Sequence, residues 1–283
     1  MSQTQKSDKK PKSYYVDYSR RTNSHGSKRP HSFRGPVPSN NARYKEVPDI
    51  GYGHRGFLIT SVDEVKSYLE MKNILVDYYR ELYERKDKVD PSEEDLSVED
   101  AIESELKQLR VSRPFKQVKT HCRNTVFINI LPDFSHIDPV AIVDRFFDEL
   151  EDKKQIRTTN TNRVLPILDT CRNSISAVKD SITSILSQHF QGDEEKNYFI
   201  ELQSRGNYKL ESDEKQKMVE GVADTITSLR PSWKVSRDKA HYLVVLVLLK
   251  NVCCCTIVEK YFQRSKYNVI EFCKEFPDVR SGE

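Results

Sequence analysis

The pattern of apolar and polar residues predicts that helices and strands alternate along most of the chain. Residues 242–249 form an apolar run that is rich in β-branched and large aliphatic side chains and too short to cross a bilayer. Such a run predicts a strand that is buried on both faces, and a second strand is expected to return through residues 253–258. Further strands are predicted at residues 56–60, 115–119, 125–130, 163–168 and 198–203.

Helical spacing of apolar residues places helices between these strands. Ser61 to Glu64 has the spacing of a capping box. Asp138-Pro139 opens another helix, because Asp is a favoured N-cap and Pro suits the first helical position. Two more helices are predicted, one from about 175 to 186 and one at 212–229. The buried stripe of the first helix, over about 62–85, is predicted to consist of Val65, Leu69, Val76, Tyr79 and Tyr83.

The resulting order is strand, helix, strand, strand, helix, strand, followed by a second alternating set. This order is that of a ferredoxin-like split βαβ unit. Both halves are therefore expected to be layers of helix on sheet, in an α/β (α+β) fold class, rather than bundles or barrels.

Charge is distributed unevenly over the 283 residues. The chain carries +3 overall, but residues 1–49 hold eleven Lys or Arg and four Asp or Glu, a local +7 that leaves −4 on the remainder. Together with its five prolines, this predicts a disordered basic tail over residues 1–52, which could contact RNA, act as a nuclear import signal or be solvated without a defined partner. Between Asp90 and Glu105 there are eight acidic and no basic residues, which predicts an exposed acidic insertion over 87–108.

Cysteines and glycines limit the chemistry that we expect. The six cysteines occur without a signal peptide or an apolar stretch of spanning length, which indicates a reducing intracellular compartment. In the Cys253-Cys254-Cys255 triplet adjacent strand residues point to opposite faces, so we expect no metal site there. No glycine spacing matches a phosphate-binding loop and no histidine falls in a triad or metal motif, so neither a cofactor nor a catalytic set is expected.

Basic residues at loops and strand ends are the candidate functional groups. If they gather on one face, they would form a sequence-independent surface for RNA phosphates, with Tyr261 and Tyr267 as stacking groups at its margin. The candidates on this ground are Arg205, Lys209, Arg237, Lys239, Lys260, Arg264 and Lys266.

A series of short motifs resembles the THUMP-domain adaptor proteins of tRNA cytidine acetylation. The resemblance covers residues from about 53 to 273, and the order and spacing of its motifs are more specific than any single one. The matching segments are Gly56-Phe-Leu-Ile-Thr60 before a long helix, the acidic insertion, Asn124-Thr-Val-Phe-Ile128, Arg163-Val-Leu-Pro-Ile-Leu-Asp-Thr-Cys171, Phe199-Ile-Glu-Leu-Gln-Ser-Arg-Gly-Asn207, Lys250-Asn-Val-Cys-Cys254, and Tyr261 through Lys266-Tyr-Asn268. Residues 235–242 depart from the family pattern, since Ser236 and Ala240 replace an Asp and a Pro.

The resemblance implies a ferredoxin-like N-terminal half at 53–170 and a THUMP domain at 140–258, which overlap as usually bounded, with a C-terminal extension at 259–283. It also implies RNA contacts at residues within the shared motifs. These are Arg163, Asn207 and Lys250, which join Arg205 as the first choices.

The function implied by the resemblance is that of a non-catalytic, tRNA-binding adaptor. Such a protein presents a D-arm cytidine of serine and leucine tRNAs to a separate tRNA/rRNA cytidine acetyltransferase, which forms N4-acetylcytidine and performs the acetyl-CoA and ATP chemistry. The expected location is the nucleus or nucleolus, with the cytoplasm as a further site, and no membrane association is expected. Two alternatives stay open: a protein-interaction scaffold without direct RNA binding, and a stand-alone RNA-modifying enzyme.

Overall fold

The computed structural model describes residues 47–84, 114–190, 194–206 and 210–276. Glu46–Glu283 forms one compact unit. Positions 1–46 of the predicted basic tail therefore lie outside the described residues, and so does the whole of the predicted acidic insertion. Residues at the end of the predicted tail are already packed, because the backbone N–H of Ile50 donates to the Lys119 carbonyl at 2.9 Å.

The first sheet contains the four strands β1 (Gly56–Ser61), β2 (Phe115–Val118), β3 (Thr125–Ile130) and β4 (Thr161–Ile167). They are antiparallel and lie in the order β2-β3-β1-β4. Helix α1 (Glu64–Tyr79) follows the first strand and continues through a π-helical turn, Arg80–Glu84. Helix α2 (Pro139–Lys153) follows the third strand, and the side chain of Asp138 caps it as predicted by accepting from the Val140 N–H at 2.9 Å.

Helix α1 buries a face that only partly overlaps the predicted one, since Tyr79 is buried and Val76 and Tyr83 pack against the core as predicted. Its N-cap is Asp63, and Val65 and Leu69 are 68% and 55% exposed, so the prediction that they are buried is wrong. The Ser67 hydroxyl lies 2.7 Å from the Thr161 hydroxyl, so the side of the helix that carries Ser67 faces β4. The buried residues of α1 are Ser67, Met71, Ile74, Leu75, Tyr78 and Tyr79.

The second sheet has the five strands β5 (Asp169–Arg172), β6 (Asn197–Arg205), β7 (Lys234–Val235), β8 (Tyr242–Leu249) and β9 (Val252–Val258). They lie in the order β5-β9-β8-β6-β7. Strand β6 runs parallel to β8, while β9 runs antiparallel to both β8 and β5. Helices α3 (Ile175–His189) and α4 (Ser212–Leu229) lie between these strands along the chain. The α/β class predicted from the sequence is confirmed.

Strand β8 lies between two hydrophobic cores, which explains its continuous apolar run. Val244, Leu246 and Leu248 face a core that contains residues of α3 and α4. The alternate residues of β8, including Val245 and Val247, face a larger core shared with the first sheet, α1, α2 and a C-terminal helix, α5 (Val269–Lys274). The prediction that this strand is buried on both faces is confirmed, since residues 243–249 are all buried.

Strands β4 and β5 are separated only by Leu168, so one extended segment passes from the first sheet to the second. The backbone N–H of Leu168 donates to the carbonyl of Cys255 in β9 at 3.1 Å. On β4, Arg163 pairs with Thr60 of β1 and forms an isolated bridge with Asn268, just before α5. This connection brings the side chains of β4 close to those of the second sheet.

Candidate nucleic-acid interface

A row of side chains on β6 lies on the face of the second sheet that is opposite to α4. Because side chains alternate along a strand, Phe199, Glu201, Gln203 and Arg205 share this face. Phe199 packs against the larger core, whereas Tyr198 and Ile200 belong to the core beneath the helices. We call these four residues the β6 row, which extends over about 20 Å at the usual rise per residue.

Arg163 and Arg205 come together where the two sheets meet. Burial and then the charge of Arg163 lower the pKa of Arg205, which shows that the two guanidinium groups are within electrostatic range. The Nε atoms of both arginines are buried without a hydrogen-bond partner, and neither side chain is ion-paired to a carboxylate among the described residues. Two adjacent positive charges without an acidic partner form a site that favours an anion.

The one carboxylate of the β6 row is held by neutral groups. The Nε2 of Gln203 donates to the Glu201 Oε1 at 2.7 Å, and the Tyr261 hydroxyl donates to the same oxygen at 3.2 Å. Burial and then the nearby Glu201 raise the pKa of Tyr261, so its hydroxyl keeps the proton that it donates. These contacts satisfy Glu201 without Arg163 or Arg205.

Lys250 and the β2–β3 turn extend the cationic surface beyond Arg205. Lys250 is exposed directly after β8, with a φ of 54°. Burial raises the pKa of Cys122 in the β2–β3 turn, while the charges of Arg205 and Lys250 act in the opposite direction and are therefore nearby. The turn approaches Gly206 so closely that a Cβ there would lie 3.2 Å from the Cys122 Sγ.

The opposite end of the β6 row also carries cations. The Arg237 guanidinium lies 5.8 Å from the centre of the Phe199 ring, and Lys239 is exposed in the same loop before β8. These two residues are separated from Lys250 by the length of β8, about 25 Å, so the candidates gather at two ends of one row rather than at one point.

Lys260 and Lys266 are exposed in the segment after β9, and Asn207 and Lys209 lie outside the described residues.

Three of the residues predicted to contact RNA are buried, namely Arg264, Tyr261 and Tyr267. Arg264 is 5% exposed, and its guanidinium forms ion pairs with Asp144 and, at 3.0 Å, with Asp148 on α2. Tyr261 and Tyr267 are 3% and 0% exposed, so the prediction that they stack on RNA bases is wrong. Arg264 therefore joins the C-terminal segment to α2, and we do not retain it among the proposed RNA contacts.

Replacing Arg264 by alanine is expected to lower the free energy of unfolding by about 2 kcal/mol. Loss of a buried guanidinium removes two ion pairs and its packing on Phe147 and Tyr267, although the carboxylates that remain are partly solvated. Denaturant unfolding followed by circular dichroism measures the change. The neighbouring exposed Lys266→Ala is the control and should change stability by less than about 0.5 kcal/mol; equal effects would contradict the structural role of Arg264.

The fold and the β6 row together define a two-sheet α/β protein with a surface suited to anions. No family model matches the chain. The resemblance predicted from the motifs is nevertheless confirmed by comparison with curated proteins. The chain is 28% identical over 240 residues to THUMP domain-containing protein 1 of Bos taurus and 27% identical over 239 residues to that of Homo sapiens, in each case over 80% of this chain.

The match covers 65% of the bovine protein and 66% of the human one, so the chain spans about two thirds of the length of these relatives. A Drosophila melanogaster homologue of the same protein is 23% identical over 169 residues, which is 60% of this chain and 50% of that one.

Solved structures with partial likeness include the THUMP domain of THUMP domain-containing protein 1. That likeness has a TM-score of 0.25 and 23% identity, over 29% of this chain and 80% of the other. A 4-thiouridine synthetase solved as an RNA complex with bound ATP has a TM-score of 0.39 and 8% identity, over 73% of this chain and 42% of the other.

Among the described residues, no helix combines the length and apolarity required to cross a membrane.

Proposed function

We propose that this protein is a tRNA-binding adaptor that presents a substrate cytidine to a separate acetyltransferase. The observation that carries the proposal is the Arg163–Arg205 pair, which has no carboxylate partner among the described residues. Arginine fits phosphate oxygens through a planar set of donors and stays charged when partly buried. The similarity to THUMP domain-containing protein 1 and the motif series described above supply the tRNA context.

The β6 row suggests how an RNA backbone would lie on the protein. Arg163, Arg205 and Lys250 at one end would bind phosphates, and Arg237 with Lys239 would bind the backbone again beyond the Phe199 end. The spacing of about 25 Å between the two groups of cations suits a structured RNA that bridges them rather than a single nucleotide. Most of these contacts are to phosphate, so shape rather than base sequence would select the RNA.

In this proposal the acetylation chemistry belongs to the partner. The finer features are the D-arm cytidine of serine and leucine tRNAs as the substrate, N4-acetylcytidine as the product, and a tRNA/rRNA cytidine acetyltransferase as the enzyme that uses acetyl-CoA and ATP. The nucleus or nucleolus, with the cytoplasm as a further site, is the corresponding location. The protein itself needs no cofactor in this role.

Reconstitution of acetylation tests the proposal. The purified chain, added to the acetyltransferase with a serine or leucine tRNA, is expected to raise N4-acetylcytidine formation at least tenfold, measured by mass spectrometry of the digested tRNA. The chain alone, with acetyl-CoA and ATP, should give no product, because the proposal assigns the chemistry to the partner. Full acetylation by the enzyme alone, or product formed by the chain alone, would contradict the adaptor role.

A protein-interaction scaffold is the second candidate, and one observation favours it. Val62, just before α1, is 69% exposed, and Val65 and Leu69 of α1 are 68% and 55% exposed, so the start of this helix carries exposed apolar residues suited to a protein partner. A scaffold would bind the acetyltransferase but not tRNA. Direct measurement of tRNA binding by the purified chain therefore separates the two candidates.

A further inference from the structure

Three cysteine thiols meet beneath helix α3, on the face of the second sheet opposite to the β6 row. In the pairing of β5 with β9, Cys171 lies opposite Cys253, and Asp169 lies opposite Cys255. Residues two apart on a strand share a face, so these four side chains form a square on one side of the sheet. The Sγ of Cys255 lies 3.8 Å from that of Cys171 and 3.7 Å from that of Cys253.

The sequence argument against a metal site holds for only one member of the triplet. Cys254 points into the larger core on the opposite face, as alternation requires. Cys253 and Cys255, however, are on the same face, and the third thiol comes from Cys171 on the neighbouring strand. All three sulfur atoms lie within 4.8 Å of one another.

These separations match those of thiolates around one small cation. A zinc–sulfur bond is about 2.3 Å long, and in a tetrahedral site two such ligands stand about 3.8 Å apart. Trigonal thiolate coordination of copper(I) requires a similar separation, and thiolates select these soft ions over magnesium or calcium. The thiols therefore need little movement to coordinate an ion.

Oxygen atoms lie beside the sulfur atoms. The Ser181 hydroxyl of α3 donates to the Asp169 Oδ2 at 2.5 Å, while the Thr170 backbone N–H donates to the Asp169 Oδ1 at 2.8 Å. Asp169 shares the face of Cys171, so its carboxylate or the Ser181 hydroxyl can supply a fourth ligand or orient the thiols from a second shell of contacts.

Burial makes the cluster sensitive to charge. Cys253 and Cys255 are 0% exposed and Cys171 is 9% exposed, so an ion would reach the cluster on the Cys171 side. Three thiolates would carry negative charge that is costly to bury in an apolar core, and a bound cation would compensate that charge.

We propose that Cys171, Cys253 and Cys255 bind one thiophilic d¹⁰ cation, zinc or copper(I), and that this ion fixes β5 and β9 beneath α3. The site is independent of the proposed RNA surface, since it lies on the other face of the second sheet. The ion's role is structural, because the cluster is buried and leaves no path by which a substrate larger than an ion could reach it.

Metal titration of the purified full chain tests this proposal. The protein is freed of metal by a chelator, kept reduced without oxygen, and titrated with Co²⁺ as a spectroscopic substitute for zinc. One equivalent is expected to give thiolate-to-cobalt charge-transfer absorption that one equivalent of Zn²⁺ abolishes. In a second arm, Cu⁺ is titrated against a coloured copper(I) chelator, and retention of one equivalent there assigns copper instead.

Two cysteine variants of equal burial provide the comparison. Cys255→Ala is expected to weaken metal binding at least tenfold, whereas Cys254→Ala, at the adjacent 0%-exposed position facing the other core, should keep the affinity of the unmodified chain. In addition, the bound ion should raise the thermal unfolding midpoint of the unmodified chain, a measurement that requires no variant. The proposal would be overturned if neither ion bound, or if the two variants lost equal affinity.

Discussion

Replacing Arg163 and Arg205 together by alanine is expected to weaken tRNA binding about 100-fold. A hydrogen bond to a charged group contributes about 1.5 kcal/mol or more, and two such contacts correspond to a loss of this size. The slope of log affinity against log salt concentration should also become less steep by about two, because two phosphate contacts no longer release counterions. Fluorescence anisotropy of labelled tRNA over a salt series measures both quantities.

A charge-matched variant controls for net charge in this experiment. Lys215 and Lys217 are exposed on α4, which covers the face of the second sheet opposite to the β6 row. Lys215→Ala with Lys217→Ala removes two positive charges and should change the affinity less than about threefold, since distant exposed charges are screened. If both double variants weakened binding equally, the Arg163–Arg205 pair would not be the binding site.

Gly56→Ala is expected to be the most destabilising single substitution that we predict, with a loss of at least about 3 kcal/mol. Gly56 begins β1, the central strand that pairs with both β3 and β4, and has a φ of 154°. A Cβ at this position would lie 2.0 Å from the Ile128 carbonyl oxygen, so the alanine must displace backbone in a paired strand. Backbone strain and overpacking each cost about 1–3 kcal/mol. Denaturant unfolding of the purified variant measures the loss.

Two nearby glycines provide controls that distinguish the steric clash at position 56 from the loss of backbone freedom when glycine is replaced. Gly53 has a φ of 72° but open space around its missing side chain, so Gly53→Ala should cost only about 1 kcal/mol. Gly51 has an ordinary φ, and a Cβ there would make normal contacts with His54 at 3.6 Å, so Gly51→Ala should have an effect below about 0.5 kcal/mol. Similar losses in all three variants would contradict the explanation from the contact with Ile128.

The apolar pattern was sufficient to predict seven of the nine described strands, but not the short strands β5 and β7 or the orientation of every helix. Strand β8 was predictable because burial on both faces leaves a continuous apolar run, which few other structures require. In α1, apolar residues occur on two sides of the helix, and the buried side includes Ser67, whose hydroxyl contacts Thr161 across 94 positions of sequence. Hydrophobicity alone does not reveal a polar residue that is buried by a distant hydrogen bond.

The candidate site depended on contacts that no local pattern contains. The motifs supplied Arg163 and Arg205, but their proximity depends on how β4 and β6 meet in space. Arg264 has the same charge and a similar sequence setting, yet its partners Asp144 and Asp148 lie 120 and 116 positions away. Likewise, the thiol cluster required the pairing of β5 with β9, because Cys171 is far from the triplet in sequence.

The extended segment that joins β4 to β5 limits how the chain can be divided. A fragment cut at residues 140–258 would keep both Arg163 and Arg205 but remove β1, the strand to which β4 is hydrogen-bonded in the first sheet. The freed edge of β4, with Val164 and Leu165 now uncovered, would invite pairing between copies of the fragment and hence aggregation. The arginine pair thus depends on residues well before position 140, and a fragment cut there would lose solubility before its RNA binding could be measured.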